Sequence, residues 1–484
     1  MCILDVTKHS RTLHSKHEKD FFFMGTKITK ISVTNDKISA RGGLTLFLRY
    51  IEQIKAYNLI LSILLPKLKT SGKGLQLVGF LKQMFAFFID GTDMSISGFD
   101  HKKKDEGYAA LIENKLNEMA SSHQIKRFFS KISIINNYVF SSILHELFIW
   151  RLKITKPTII ELGIDTMIMD NDQAKKREGN KLTYKKKNGF QPLHISWGPF
   201  LIDVLFRKGD AHSNHGTDYT DRIEVIVKLI RKRYSKDVPI ILCADSGFAD
   251  QKAYTIFEEK LGIHYITTSR MYKGVKEYIP QIPTGSFNEF SKKKAIWRFI
   301  EFGNRLVAWK KFRRAIYTDL TRDEKGQYLL GLKRTETLIY TNIGTSATAD
   351  KKLMAAGGSH YFKAETIIHK SHQRGADELI HRSLKELATK EQLPFKKFGM
   401  NRAYYFLLVI THFIFETYKQ DVTSNVLPST VYPNTFRRKL IDFAAKIISG
   451  ARYISLKVTA LVYKTFNIDE LWRRCQSPPL IEFA

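Results

Sequence analysis

Ile240-Ile241-Leu242-Cys243-Ala244-Asp245-Ser246-Gly247-Phe248 decides how this chain is read. An apolar run this short, rich in β-branched residues and closed by a carboxylate and a glycine, predicts an inner strand of an α/β sheet rather than a helix. The loop beyond the carboxyl end of such a strand is where ligand-facing residues sit, so Asp245 is a candidate ligand. Gly247 allows a backbone to approach a phosphate closely.

Working upstream, Leu162-Gly163-Ile164-Asp165-Thr166-Met167-Ile168 is a second apolar run with one carboxylate inside it. A charge in a buried strand is costly unless a cation or partner meets it. Around these two runs the text alternates after Pro157. Thr158–Met169 reads as a strand, and Phe190–Trp197 and Pro199–Arg207 as a hairpin about Gly198. A helix follows over Asp221–Arg233, a strand over Val238–Ala244, a helix over Gln251–Leu261 and a strand over Ile263–Ser269. Three strands, helix, strand, helix, strand is the order of a ribonuclease-H-like core. From Pro280 to Ile343 strands are expected again, among them Ala295–Phe302, Arg305–Lys310 and Tyr328–Leu332.

The flanks read as helical. Leu44, Leu46, Phe47, Tyr50, Ile51 and Ile54 recur with helical period, and the pattern continues through Leu59–Leu65, Leu77–Phe88 and Tyr108–Glu118. Ser121 and Ser122 can cap a helix whose Lys126 and Arg127 could face phosphates; an ordinary capped surface helix explains the same residues equally well. His372–Ala388 and Tyr404–Tyr418 read as helices, and Phe436–Thr465 as a basic helical tail. The expected class is α/β: a ribonuclease-H-like catalytic core interrupted by a β-rich insertion, with helical N-terminal and C-terminal regions. The segments are 1–157 (helical, DNA-binding), 158–270 (first part of the core), 271–364 (insertion), 365–420 (second part, carrying a third acid) and 421–484 (basic, helical).

Charge narrows the partner. Lys and Arg number 78 against 47 acids in 484 residues, a formal net charge of +31. An excess of that size suits a polyanion, because each neutralised phosphate releases counterions; a lysine-rich proteome is the plainer explanation of part of it. Cys2, Cys243 and Cys475 have no paired spacing, so neither a disulfide framework nor a cysteine zinc site is expected, and a reducing cytoplasm fits. The runs Tyr138–Trp150 and Ala403–Phe415 are shorter than a bilayer span and broken by polar residues, which predicts buried helices and no membrane partner. Met1–Phe23 lacks the apolar stretch of a signal peptide, and the patterned sequence begins just after Met24.

Arg374, Glu378 and Lys385 place a carboxylate between two cations along one helical face, four positions after the first and seven before the second. That arrangement suits a metal ligand flanked by phosphate clamps. Two divalent cations roughly 4 Å apart can serve both sides of a phosphodiester, and magnesium takes carboxylate oxygens from separate elements. Asp165, Asp245 and Glu378 would supply them. Each also has a plainer reading, as a loop cap or a solvated helix face, and Asp377 could stand in for Glu378, or Asp170 or Asp172 for Asp165. Elsewhere Lys292-Lys293-Lys294 with Trp297-Arg298-Phe299, and Trp309-Lys310-Lys311-Phe312-Arg313-Arg314, interleave cations and aromatics in the manner of nucleic-acid surfaces. A strand tryptophan is also an ordinary core residue. Tyr184–Lys187 and Lys102–Lys104 read as solvated loop charges.

The stretch Gln373-Arg374-Gly375-Ala376-Asp377-Glu378-Leu379-Ile380-His381-Arg382-Ser383-Leu384-Lys385-Glu386-Leu387 resembles the Tyr-Arg-Glu-Lys signature of DDE transposases of bacterial insertion sequences, most closely the insertion-sequence thirteen-eighty family. Asp165-Thr166 is similar to that family's first acidic strand and Ala244-Asp245-Ser246-Gly247-Phe248 to its second. Gly209–Gly216, with His212, Ser213 and Asn214, resembles its Gly-Asn loop, although Asp210 stands where Asn is expected. Ser371 stands where the signature has tyrosine. Ser121–Phe128 and Arg437–Lys457 resemble its terminal blocks, so the likeness runs from Met24 onward.

The resemblance implies a cut-and-paste DNA transposase. Asp165, Asp245 and Glu378 would be its catalytic, metal-binding acids, with two Mg²⁺ ions that Mn²⁺ can replace. Arg374 and Lys385 would hold transposon-end phosphates. Trp297 and Trp309 would be candidates to receive a flipped base, with Lys310, Lys311, Arg313, Arg314, Lys126 and Arg127 as further DNA contacts. It implies double-stranded DNA partners (terminal inverted repeats and target), a homodimer in the synaptic complex, and a bacterial cytoplasmic, nucleoid-associated location. Two rival readings keep the same acids or charge: a ribonuclease-H-like nuclease that does not join strands, and an inactive DNA-binding relic.

Overall fold

Ile160–Thr166 alternates buried and half-buried residues along its length and forms strand β2; Ile240–Ala244, apolar on both faces, forms β5 beside it. The two run parallel, in a register that opposes Ile164 to Ala244. On the other side of β2 lie Leu193–Trp197 (β3) and Phe200–Leu205 (β4), an antiparallel hairpin turning at Gly198, whose φ of 54° favours glycine. Beyond β5 comes His264–Ser269 (β6), again parallel. The computed structural model describes residues 30–482 except 70–73, 94, 212–215, 293, 308, 326, 328–334, 374, 389–390 and 451–452, and the backbone alone at 375–377. The expected strand at Tyr328–Leu332, residues His212, Ser213 and Asn214, Met24 and Arg374 lie outside the described residues.

Residues 1–36 and 37–484 are separate units. In the first, residues 30–36 have no regular structure and are exposed. The second opens with Lys37–Ser39 (β1), Leu44–Gln53 (α1), Ala56–Leu64 (α2) and Leu77–Asp90 (α3), then Ser122–Ile132 (α4) and Asn137–Thr155 (α5). Ser121 caps α4 reciprocally: its Oγ accepts from the Gln124 amide at 3.3 Å, and Gln124 Oε1 accepts from the Ser121 amide at 2.8 Å. Asp218–Arg233 (α6) links the β3–β4 hairpin to β5.

Strands expected between residues 280 and 343 add to the same sheet rather than forming a layer of their own. Asn288–Lys292 (β7), Ala295–Asn304 (β8), Arg313–Arg322 (β9) and Thr337–Thr341 (β10) extend it from the β6 edge, giving among the described residues nine strands in the order β7-β8-β9-β10-β6-β5-β2-β3-β4. Arg305–Lys310 is not a strand. Pairing of β8 with β9 ends at Asn304 and Arg313, so the segment is the hairpin connection, with a turn from the Trp309 amide to the Leu306 carbonyl.

Both faces of the sheet are covered. On one, Ile241, Ile266, Ile316 and Ile339 pack on Ile367 and Ile368 of Ala364–Gln373 (α7). The larger core reaches both faces and is built around Phe398–Tyr418 (α9), which is buried on all sides from Ala403 onward; α9 lies on the same face as α7, where Tyr405 meets His194 of β3 at 2.7 Å. A helix apolar all round belongs at a centre: rings of Phe47 and Tyr50 (α1) each stand 5.4 Å from Tyr418, Phe140 (α5) 4.9 Å from Phe406 and Phe200 (β4) 4.8 Å from Phe413. Between α7 and α9 runs Gly375–Leu387 (α8).

The C-terminal region is not helical throughout. Ala445–Ser449 (β11) and Ile454–Val458 (β12) form a small antiparallel sheet with β1, and Ile468–Gln476 (α10) packs on α1. In β11 buried Ala445 and Ile447 alternate with less buried neighbours, a period of two that the basic composition conceals. Lys102 is likewise no solvated charge: it is buried, paired with Asp90 and, at 2.9 Å, with Asp93. Among the described residues no single helix is long and apolar enough to cross a membrane.

One buried ion pair ties the hairpin to its helices. Asp203 of β4 accepts from Arg222 Nε of α6 at 2.6 Å and stands 3.5 Å from His145 of α5. Burial pushes its carboxyl up, but His145 and Arg222 outweigh that and hold it at about 2. This stabilisation is complete above the ordinary carboxylate range near pH 4 and is lost as pH falls through 2. Asp203→Ala, which leaves Arg222 buried without its partner, is expected to cost about 3–5 kcal/mol in urea unfolding at pH 7, and less at pH 2.

Candidate active site

Asp165 follows Ile164 at the end of β2, and Asp245 follows Ala244 at the end of β5. Because Ile164 opposes Ala244 in a parallel pair, the two aspartates fall side by side on adjacent strand ends, on one face of the sheet. Asp165 Oδ1 accepts from the Thr166 amide at 2.7 Å. Asp245 caps the short 3₁₀ turn Ser246–Phe248, its Oδ1 accepting from the Gly247 amide at 2.7 Å, so the glycine serves a tight turn. Glu378, exposed in the first turns of α8, joins them on the wall of one cavity of about 860 Å³. Among the described residues no three His, Cys, Asp or Glu side chains stand close enough to enclose a single ion. The three acids thus share a cavity without converging on one point.

Cations frame the same cavity: Lys185, Lys187, Arg382, Lys385 and Arg437. Lys385 pairs with Glu391 at 2.9 Å. Arg382 lies 4.1 Å over the ring of Tyr432 and bonds Glu386 at 3.0 Å. Arg437 is buried, and burial pulls its guanidinium down to about 10. It donates to the carbonyls of Phe88 (2.7 Å) and Ile89 (2.8 Å) near the end of α3 and of Glu386 (2.9 Å) near the end of α8. These are carbonyls that helix ends leave without partners. Gly91, in the left-handed conformation after α3, makes room: a Cβ there would lie 2.2 Å from the Arg437 guanidinium.

Of the alternative acids, the side chain of Asp377 lies outside the described residues, Asp170 lines the same cavity, and both Asp170 and Asp172 have partners. Asp170 bonds Lys187 at 2.7 Å and Asp172 bonds Asn188 at 2.7 Å, and those bonds hold both carboxyls below their ordinary range. Tyr184, Lys185 and Lys187, expected to be solvated loop charges able to touch phosphate, are exposed and line the cavity.

The other expected DNA contacts lie elsewhere. Lys126 and Arg127 are exposed on α4, and Lys310 in the β8–β9 connection is also exposed. Lys311 pairs with Glu258 at 2.6 Å. Trp297 is half-buried on β8, its ring 4.5 Å from that of His372. Trp309 is core: its ring meets Tyr340 at 4.7 Å and Tyr254 at 5.8 Å, with Arg313 4.9 Å over its face. A ring so enclosed is not open to a base. Arg313 is buried on Glu258 at 3.0 Å, and Arg314 donates to the Ile343 and Phe362 carbonyls at 2.9 and 2.8 Å.

Polar anchors without a sequence signal of their own fix α8 on α9. Ser383 lies 3.2 Å from His412 Nε2 and 3.4 Å from Glu416 Oε1, and Lys419 Nζ lies 2.9 Å from Glu416. Nearer the acids, His381 sits with Nδ1 3.9 Å from Asp165 Oδ2 and Nε2 3.3 Å from His194 Nδ1. Burial pushes His381 down to about 4; Lys385 adds to this and Glu378 opposes it. The one available sequence signal was that His381 follows Glu378 by three residues, on the same helical face.

The chain belongs to the transposase DDE domain group 1 family, whose model matches residues 24–475, and is a DDE-type DNA transposase. Enzymes of this family use divalent metal ions. Among solved structures, a cryo-EM structure of a piggyBac transposase synaptic complex with hairpin DNA is similar at 13% identity and a TM-score of 0.38, covering 83% of this chain and 79% of that one. No curated protein matches.

Burial raises the Glu416 carboxyl to about 7 despite the opposing pull of Lys419. A carboxyl raised on folding contributes stability at low pH that is lost as pH rises through 7. The stability of Glu416→Gln relative to wild type is therefore expected to rise between pH 5 and pH 8, measured by thermal melting in parallel buffers.

Proposed function

We propose that Asp165, Asp245 and Glu378 are the catalytic acids of this transposase and that together they hold divalent magnesium, with manganese able to replace it. The observation that carries the reading is the register of β2 and β5, which sets two aspartates on neighbouring strand ends beside the cavity that Glu378 also lines. The donor set suits the ion: oxygen only, from three separate elements, without thiolate or a tight imidazole cluster. Two such ions, when bound, would lower the charge on the scissile phosphate and activate the attacking oxygen.

The chain's own residues would do the rest. Lys385 and Arg382, with Arg374 of the signature, would position the transposon-end phosphates. Lys126, Arg127, Lys310 and Lys311 would hold duplex backbone farther out, and half-buried Trp297 would be the ring that receives a displaced base. Hydrolysis at the transposon end would release a 3′-hydroxyl. That hydroxyl would then attack a target phosphodiester and displace its 3′-oxygen, which is cut-and-paste transposition without a covalent protein intermediate. The strand order β4-β3-β2-β5-β6, three antiparallel strands followed by two parallel to the first, supports a ribonuclease-H-like core. Residues 373–387 support membership of the Tyr-Arg-Glu-Lys group, within it the insertion-sequence thirteen-eighty type. A homodimer on paired double-stranded ends, at the nucleoid of a bacterial cytoplasm, completes the reading; the net charge of +31 suits that polyanionic setting.

Asp245→Asn is expected to lower magnesium-dependent nicking of the element's own end by more than about a hundredfold, beyond the usual cost of losing a supporting partner. Equal nicking by variant and wild type on a labelled end fragment would remove the mechanism.

A further inference from the structure

His194 is the register partner of Asp165 across β2 and β3, and is buried. His381 arrives from α8 and lies between the two, Nδ1 toward the Asp165 carboxylate at 3.9 Å and Nε2 toward His194 Nδ1 at 3.3 Å. Behind them His194 Nε2 meets the Tyr405 hydroxyl of α9 at 2.7 Å, and Tyr405 is fully buried. Three elements, two imidazoles and a phenol thus form a line that ends on one of the proposed acids.

That line has one consistent direction. An ionised carboxylate only accepts, so for His381 Nδ1 to close on Asp165 it must carry the proton. A neutral imidazole has a single N–H, so His381 Nε2 accepts from His194 Nδ1–H, and His194 Nε2 in turn accepts from the Tyr405 O–H. The opposite order would aim a lone pair at a carboxylate.

We propose that His381 is a positioning residue for Asp165: its tautomer, set by His194 and Tyr405, aims an N–H at Oδ2 while the Thr166 amide holds Oδ1, fixing the carboxylate plane toward Asp245. The Nδ1 to Oδ2 separation of 3.9 Å lies beyond hydrogen-bond range, and the proposal includes its closing when a divalent ion draws Asp165 into place. This is the part outer-shell partners play for metal-binding carboxylates. The inference rests on the reading of Asp165 as a divalent-ion ligand.

Mn²⁺ binding to the full chain, followed by the electron paramagnetic resonance of the free ion, tests it with a readout separate from activity. Asp165→Asn is expected to abolish the site. His381→Ala should weaken Mn²⁺ about 10–100-fold, and His381→Asn, whose amide N–H stands where Nδ1–H was, should restore it to within about threefold. Tyr405→Phe deletes one oxygen from an otherwise unchanged ring, releases the tautomer, and should weaken binding about tenfold; it decides the test if His381→Ala does not fold. Wild-type affinity in Tyr405→Phe, or no recovery in His381→Asn, overturns the proposal while the site reading stands. Wild-type affinity in Asp165→Asn overturns the site reading itself.

Discussion

The parallel pairing of Ile160–Thr166 with Ile240–Ala244 holds the rest of the site in place. Neighbouring strands lie about 4.8 Å apart, so it forces two aspartates to within about 5 Å of one another at their backbones. Like charges on neighbouring strand ends repel one another. A fold gains nothing from that repulsion unless a cation offsets it. Apolar helices on both faces make the register hard to slip, since a shift of one residue would turn Leu162 and Ile164 out of the larger core.

Glu378 reaches the same cavity by a different route. Its helix is no part of the sheet, and its placement comes from polar anchors on the central helix and from Arg437, whose guanidinium joins the carbonyl ends of two helices. Strand register is stiff, whereas a helix held by side chains can shift by small amounts. The cavity therefore combines two fixed acids with one on a more adjustable element, within a frame of lysines and arginines suited to phosphate. On the proposed reading, DNA and a divalent ion would draw that third acid in.

Much of this was legible in the sequence because the deciding elements are local. The runs around Asp165 and Asp245 are short, β-branched and bounded by breakers, and both form strands close to the expected limits. The β3–β4 hairpin and the buried helix Phe398–Tyr418 were legible for the same reason. Features set by distant partners were not. Arg305–Lys310 carries strand-forming residues but is a hairpin connection, since pairing on either side decides. Ala445–Ser449 lies between β12, which follows it, and β1, some 400 residues earlier. Trp309 looked like part of a basic, aromatic surface, yet its ring fills the core beside Tyr340. His381 and His194 lie 187 positions apart, so no local pattern could have joined them.

Whether residues 165, 245 and 378 surround bound ions can be read from the backbone itself. Replacing magnesium with Fe²⁺ on the full chain bound to transposon-end DNA, then adding ascorbate and peroxide, cuts the backbone where the ion sits, and the fragments can be sized by mass spectrometry. Scission is expected in three places, near Asp165, Asp245 and Glu378, suppressed together by excess Mg²⁺. Cuts near the two aspartates but none near Glu378, or cuts that excess Mg²⁺ does not suppress, would contradict a shared three-acid site.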